Sequence, residues 1–187
     1  MNTSENAIGA GGATLLEAVK VWDPFVRVFH WSLATLFLAA YVTGDDAGQM
    51  HFAAGYAIAG LIALRIVWGF VGPRHARFSN FVRSPREVLT YLRDVAMFRA
   101  PRYLGHNPAG GVMIIALLVL LLGTGLTGYL MTTDVFWGAK WVEEVHEALA
   151  NLTVGLIVFH VVGVLISSLK DGENLVKSMI TGWKRHA

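Results

Sequence analysis

Four long apolar segments limit what this chain can fold into. They cover residues 24–43, 51–71, 111–131 and 144–169, and each is near the roughly 20 residues that a helix needs to cross a bilayer. The chain has 187 residues, of which 55% are hydrophobic and 15% charged, so it is too apolar for an ordinary soluble domain. The sequence therefore predicts an all-α integral membrane protein, a bundle of four helices.

The first of these segments contains two polar residues, Arg27 and His30. A helix that begins at Pro24, with Asp23 as its N-cap, accommodates both of them. Arg27 then lies at the membrane interface and His30 about two turns inside the helix. We therefore expect this segment to span the membrane like the other three.

Basic residues are concentrated on one side of the four segments. Seven arginines lie between the second and third segments, and four lysine or arginine residues follow the fourth. The other two connections are acidic apart from Lys140. The positive-inside rule places both termini and the middle connection in the cytoplasm. We expect residues 1–20 to form a flexible cytoplasmic N-terminus and residues 21–187 to form one membrane domain.

Two cytoplasmic stretches show helical patterns of their own. Ser84-Pro85-Arg86-Glu87 has the N-cap, proline and glutamate of a helix start, and apolar residues then recur at helical spacing to about Ala96. Residues 175–183 have a similar apolar stripe. Both stretches are interpreted as short interfacial helices at the membrane surface, with a solvated connector and a frayed tail as the alternative.

His146 and His160 lie 14 residues apart on the fourth segment. At about 100° per residue, 14 steps come within about 40° of four whole turns, so both imidazoles face the same way. The rise along the axis is roughly 21 Å, which places one histidine near each face of a bilayer core about 30 Å thick. Ionisable residues at such depths are costly and point to a functional site.

The depths of four histidines match in two pairs. His30 and His160 lie near the inner side, and His51 and His146 near the outer side. Two imidazoles at one depth on different helices are what a six-coordinate haem b needs. The chain has no cysteine, which excludes covalent c-type haem and thiolate-ligated clusters. We predict two haem b groups, with histidines that only bond within the bundle or anchor it at the interface as the alternative.

Two further residues are candidates for contact with the inner cofactor. Arg65 follows His51 by 14 residues, so it shares its face but lies at the inner depth, where it can meet haem propionates or extend to the headgroups. His106 precedes the third segment and is a candidate contact for a propionate or a quinone headgroup, or a cap for the turn. His75 and His186 lie in polar cytoplasmic contexts and are predicted to be surface residues.

A set of motifs extends from Val21 to about Trp183. It comprises Trp22-Asp23-Pro24 with Arg27, His30 and Trp31; His51 with Gly55-Tyr56; Arg65 with Trp68-Gly69; Tyr103-Leu104-Gly105-His106-Asn107-Pro108; and His146 with His160. This combination resembles the bacterial cytochrome b561 and nickel-hydrogenase b-type cytochrome superfamily. The resemblance implies a dihaem cytochrome b of the bacterial inner membrane that exchanges electrons with the quinone pool, with ligands at the four paired histidines.

The outer connections help to choose among the partners that the resemblance implies. Members of the superfamily serve hydrogenases, periplasmic c-type cytochromes or other oxidoreductases, and some smaller members act alone on superoxide. The predicted outer face carries one lysine and six acidic residues, Asp45, Asp46, Asp134, Glu143, Glu144 and Glu147. A negative face repels superoxide and attracts a basic protein. We therefore favour an electron-transfer protein with a redox partner over a superoxide:quinone oxidoreductase.

The basic middle connection does not point to nucleic acid. The positive-inside rule and contact with anionic membrane lipid explain its arginines. A transporter or structural membrane protein without haem is the remaining alternative from another class.

Colour separates that alternative from the cytochrome. The purified chain is expected to show a haem Soret band and an α band that appears on reduction. A chain that purifies folded but without these bands would contradict the electron-transfer interpretation.

Overall fold

The computed structural model describes residues 18–44 and 48–185 of the chain. Two short strands and seven α-helices make up this part of it. In chain order they are β1 (Ala18–Lys20), α1 (Pro24–Val42), α2 (Gln49–Val71), α3 (Phe78–Phe81), α4 (Pro85–Ala96), α5 (Pro108–Leu130), α6 (Lys140–Asp171), α7 (Leu175–Thr181) and β2 (Trp183–Arg185).

The four long helices α1, α2, α5 and α6 are long and apolar enough to cross a membrane. Their apolar side chains remain widely exposed in the isolated chain, among them Phe70 and Phe159 at 70% each. Such a surface is stable in a hydrocarbon environment, where helices satisfy their own backbone hydrogen bonds. The predicted all-α membrane bundle of four helices is confirmed.

Local sequence signals determine where three of the helices begin. Asp23, Ser84 and Asn107 each accept a hydrogen bond from a backbone N–H three residues further on, and a proline follows each of them. These caps bind N–H groups that have no partner within the helix. The third spanning helix therefore begins at Pro108 rather than at residue 111.

The helices pack in the order α1, α2, α5 and α6. The buried core lies between the first three and is formed by Phe29, Ile58, Ile62, Leu118 and Leu121. Helix α6 packs along α5, but within the described residues it makes no extensive contact with α1 or α2. The backbone of α6 is therefore packed less closely against the α1–α2 pair than against α5.

The two ends of the described chain meet on the inner side, which is the end of the bundle that the sequence predicts to be cytoplasmic. Strand β1 pairs antiparallel with β2, with Lys20 opposite Trp183. Residues 18–20 of the segment predicted to be flexible form this strand, and residues 1–17 lie outside the described part. The C-terminal helix also ends earlier than predicted, because Gly182 has a φ of +89° that stops α7 and starts the strand.

The inner connection folds back against the start of α5. Phe81 is 1% exposed, and its backbone oxygen lies where a side chain on Gly111 would have to fit. A Cβ atom at residue 111 would be 2.5 Å from that oxygen. This close approach requires glycine and holds the inner connection against the bundle.

We expect Gly111→Ala to destabilise the protein by about 1–3 kcal/mol, because the backbone of α3 must shift to admit the methyl group. Thermal unfolding in detergent should show a midpoint several degrees lower. Gly60→Ala is the matched control, since that position is exposed and nothing lies within 4 Å of a Cβ there. Equal effects of the two variants would contradict the packing argument.

Candidate haem sites

The structure brings the four histidines of the spanning helices together in two pairs. His30 on α1 faces His160 on α6, with ring centroids 6.3 Å apart and ring planes at 51°. His51 on α2 faces His146 on α6, with ring centroids 6.1 Å apart and ring planes at 71°. All four side chains are half-buried. These are the inner and outer pairs that the spacing predicts.

The separation within each pair is suitable for a shared iron. An imidazole nitrogen binds a first-row metal at about 2 Å and lies about 1 Å from the centre of its ring, so two rings on opposite sides of one metal have centres about 6 Å apart. Both observed separations agree with this value.

The hydrogen bonds of the outer pair leave Nε2 of each histidine free to bind a metal. His51 Nδ1 lies 2.8 Å from the backbone oxygen of Ala40, and His146 Nδ1 lies 2.9 Å from that of Thr124. A carbonyl oxygen can only accept, so each Nδ1 carries a proton and donates it. The lone pair of each ring is then on Nε2, where a metal can bind.

The space beside the outer pair also suits a flat macrocycle. Gly55 lies one turn after His51 on the same face of α2, and nothing lies within 4 Å of a Cβ at that position. In the described residues, the backbone of α6 is not closely packed against α1 or α2. The residues present therefore fit haem b between α6 and the first two helices.

Arg65 is buried at the inner end of α2. It is 3% exposed, its Nη2 donates to the backbone oxygen of Ala76 over 3.1 Å, and its guanidinium lies 5.1 Å from the ring centre of Phe78. Its Nη1 is buried and has no hydrogen-bond partner among the described residues. A buried cationic nitrogen without a partner is costly, so this position is suited to an anionic group.

His106 lies between two aromatic rings next to this arginine. Its ring centre is 4.6 Å from that of Trp22 and 4.9 Å from that of Phe81. Burial, together with the nearby positive charge of Arg65, lowers the pKa of His106 to about 3. The imidazole is therefore neutral near pH 7. Its Nδ1 is buried and has no partner within the described part of the chain.

Two residues that the sequence did not single out complete the inner cluster. His75 was predicted to be a surface residue, but its Nδ1 is buried against Gly105, and burial lowers the pKa of its imidazole. Lys184 in β2 is 4% exposed and donates to the backbone oxygen of Tyr103, and burial lowers its pKa. Only the folding of the loop and tail over the bundle brings these side chains near His106.

Comparison with known proteins agrees with this geometry. The model of the family described as prokaryotic cytochrome b561 matches residues 21–182, which is most of the chain. The chain belongs to the prokaryotic cytochrome b561 family. This makes it a multi-pass membrane b-type cytochrome that carries haem b and functions in electron transfer.

Several curated relatives of this cytochrome b561 cover nearly its whole length. The probable Ni/Fe-hydrogenase B-type cytochrome subunit of Rhizobium leguminosarum bv. viciae is 24% identical over 211 residues, 89% of this chain and 88% of the relative. The subunit of that name from Bradyrhizobium diazoefficiens is 27% identical over 212 residues, 88% and 85% of the two chains. The probable Ni/Fe-hydrogenase 1 B-type cytochrome subunit of Escherichia coli is 21% identical over 212 residues, 89% and 90% of the two chains. No solved structure matches the chain.

The end of this cytochrome b561 that the sequence predicts to be outer is acidic and aromatic. Asp134 and three glutamates at the start of α6 are exposed, and Asp45 and Asp46 lie outside the described residues. Trp137 and Trp141 are 78% and 57% exposed beside them. The surface has the charge that the sequence predicted, and its tryptophans are placed either to anchor the interface or to contact a partner.

Proposed function

We propose that this protein is a dihaem cytochrome b that moves electrons across the bacterial inner membrane between the quinone pool and a redox protein at the outer face. The observation that carries the proposal is the two pairs of facing imidazoles, at opposite depths and each with the separation that a shared iron needs. With one pair near each membrane face, the two proposed haems together cover the thickness of the apolar core, which one haem does not cover. This arrangement suits electron transfer across the membrane.

In this proposal residues 21–187 form one domain, with His30 and His160 as ligands of the inner haem and His51 and His146 as ligands of the outer haem. When bound, haem iron alternates between its ferric and ferrous states and so carries one electron at a time. The backbone oxygens that accept from His51 and His146 hold the outer rings in place and make them more basic ligands.

Arg65 and His106 are proposed to bind the propionates of the inner haem. Their buried, unpartnered nitrogens support this role, and so does the buried ammonium of Lys184 nearby. Arg65 supplies a fixed positive charge, while the neutral imidazole of His106 supplies a hydrogen bond without adding charge. A quinone headgroup is the other ligand that His106 is placed to contact.

The redox partner is proposed to bind at the acidic outer face. Both termini and the arginine-rich middle connection then lie in the cytoplasm, next to anionic lipid. The curated relatives are named as hydrogenase cytochrome subunits, which favours a hydrogenase or a similar oxidoreductase, and the outer charge also suits a basic c-type cytochrome. Reduction of one quinone requires two electrons, delivered one at a time, and two protons.

Substitution of single histidines tests the pairing of the ligands. We expect wild-type protein to contain two haem b per chain, and His30→Ala or His160→Ala to lose only the inner one, because one imidazole cannot hold six-coordinate iron. His146→Ala should lose only the outer one. Pyridine haemochrome analysis gives the stoichiometry, and redox-resolved spectra show which haem remains.

The inner and outer variants act as controls for each other. Loss of the same spectral component from His30→Ala and His146→Ala would contradict the assignment of the two pairs, and a wild-type stoichiometry of one would contradict the dihaem proposal.

The acidic outer face is tested with a basic c-type cytochrome as the acceptor. At low ionic strength, the double variant Glu143→Gln and Glu147→Gln should exchange electrons with it several-fold more slowly, since fewer charges steer the encounter. Glu87→Gln, an exposed glutamate on α4, is the matched control and should keep the wild-type rate.

The same preparation separates the two electron-transfer hypotheses. Superoxide added with a quinone should produce quinol only slowly if the protein depends on a protein partner. Turnover near the diffusion limit would contradict the proposed partner and identify a superoxide:quinone oxidoreductase.

A further inference from the structure

Helix α5 contributes none of the four paired histidines, yet three of its residues surround one edge of His146. The backbone oxygen of Thr124 lies 2.9 Å from His146 Nδ1, and the Oγ1 atom of Thr127 lies 3.1 Å from the same nitrogen. A Cβ at Gly128 would lie 3.1 Å from His146 Cε1. The ring of His146 therefore lies in a cradle formed by one turn of α5.

The hydroxyl of Thr127 acts as an acceptor in this cradle. Its Oγ1 lies 2.9 Å from the backbone oxygen of Gly123 and 3.0 Å from that of Thr124, and both of these can only accept. The hydroxyl proton is used there, so a lone pair of Oγ1 faces the Nδ1–H of His146. The imidazole proton is then shared between the oxygens of Thr124 and Thr127.

We propose that Thr127 is a positioning residue for His146. Its hydroxyl fixes the rotation of the His146 ring and lowers the midpoint potential of the outer haem. The inference rests on the proposed function, in which His146 is an axial ligand. A second acceptor on Nδ1–H raises the basicity of the ligand and stabilises ferric iron over ferrous iron. Two acceptors at different directions also resist rotation of the ring about its bond to Cβ.

The other three histidines do not have this arrangement in the described part of the chain. His51 donates to a single backbone oxygen, that of Ala40. The buried Nδ1 of His30 has no hydrogen-bond partner, and no hydrogen bond is formed by the ring of His160. The effect of Thr127 should therefore be confined to the outer haem.

Thr127→Val tests the inference, because valine keeps the shape of threonine and removes the hydroxyl. We expect both haems to be retained, with the midpoint potential of the outer haem shifted to more positive values and that of the inner haem unchanged. The ferric EPR signal of the outer haem should also change, since its g values depend on the angle between the two imidazole planes, here 71°.

Thr133→Val, just beyond the end of α5, is the matched control. The Thr133 hydroxyl donates to the backbone oxygen of Leu130 and, in the described part of the chain, forms no hydrogen bond with His146. This variant should keep the wild-type potentials and EPR signals. Thr127→Ser keeps the hydroxyl and should therefore show the wild-type midpoint potential and EPR signal of the outer haem.

The possible results separate this inference from the proposed function. Unchanged potentials and signals in Thr127→Val, with His146→Ala still losing the outer haem, would overturn the role of Thr127 alone. Retention of both haems by His146→Ala would overturn both proposals. If Thr127→Val lost the outer haem, rescue by Thr127→Ser would support the positioning role, whereas loss in both variants would indicate packing only and would overturn it.

Discussion

A polar ring nitrogen inside an apolar bundle must have a partner, and this constraint governs the structure. Four imidazoles lie within or at the ends of the spanning helices, where no water is available to bind them. The outer rings direct Nδ1 to backbone oxygens, and all four rings face a second ring at about the distance of a shared metal. Looser packing of α6 against the first two helices accompanies this arrangement and is where the proposed haems would be held.

The two histidine pairs have different surroundings at the two ends of the bundle. At the inner end, Arg65 of α2 is joined by donors from the loop and the C-terminal tail, among which Lys184 is buried. At the outer end, α5 approaches His146 closely and the surface beyond it is acidic. The charge bias that orients the helices in a membrane thus also gives the two pairs different electrostatic surroundings.

Much of the site follows from sequence periodicity, since helix geometry converts residue spacing into depth and direction. His146 and His160 share a face of α6 because 14 residues are close to four turns, and the positions of His30 and His51 along their helices then decide the pairs. The inner cluster does not follow in this way. His75 looks like a surface residue because its neighbours are polar, and its burial depends on how residues 72–107 fold over the bundle.

By itself, the sequence determined the number of spanning helices and the spacing that pairs the four histidines, and it predicts the orientation of the helices from the basic residues. These properties depend on local composition and on the regular rise of a helix, which one chain segment specifies alone. The tertiary structure decided which atoms touch each ring: the oxygen of Ala40 at His51, the Thr124–Gly128 turn at His146, and the enclosure of Arg65. Such contacts join backbone atoms and side chains from different segments, and their positions exist only once the helices have packed.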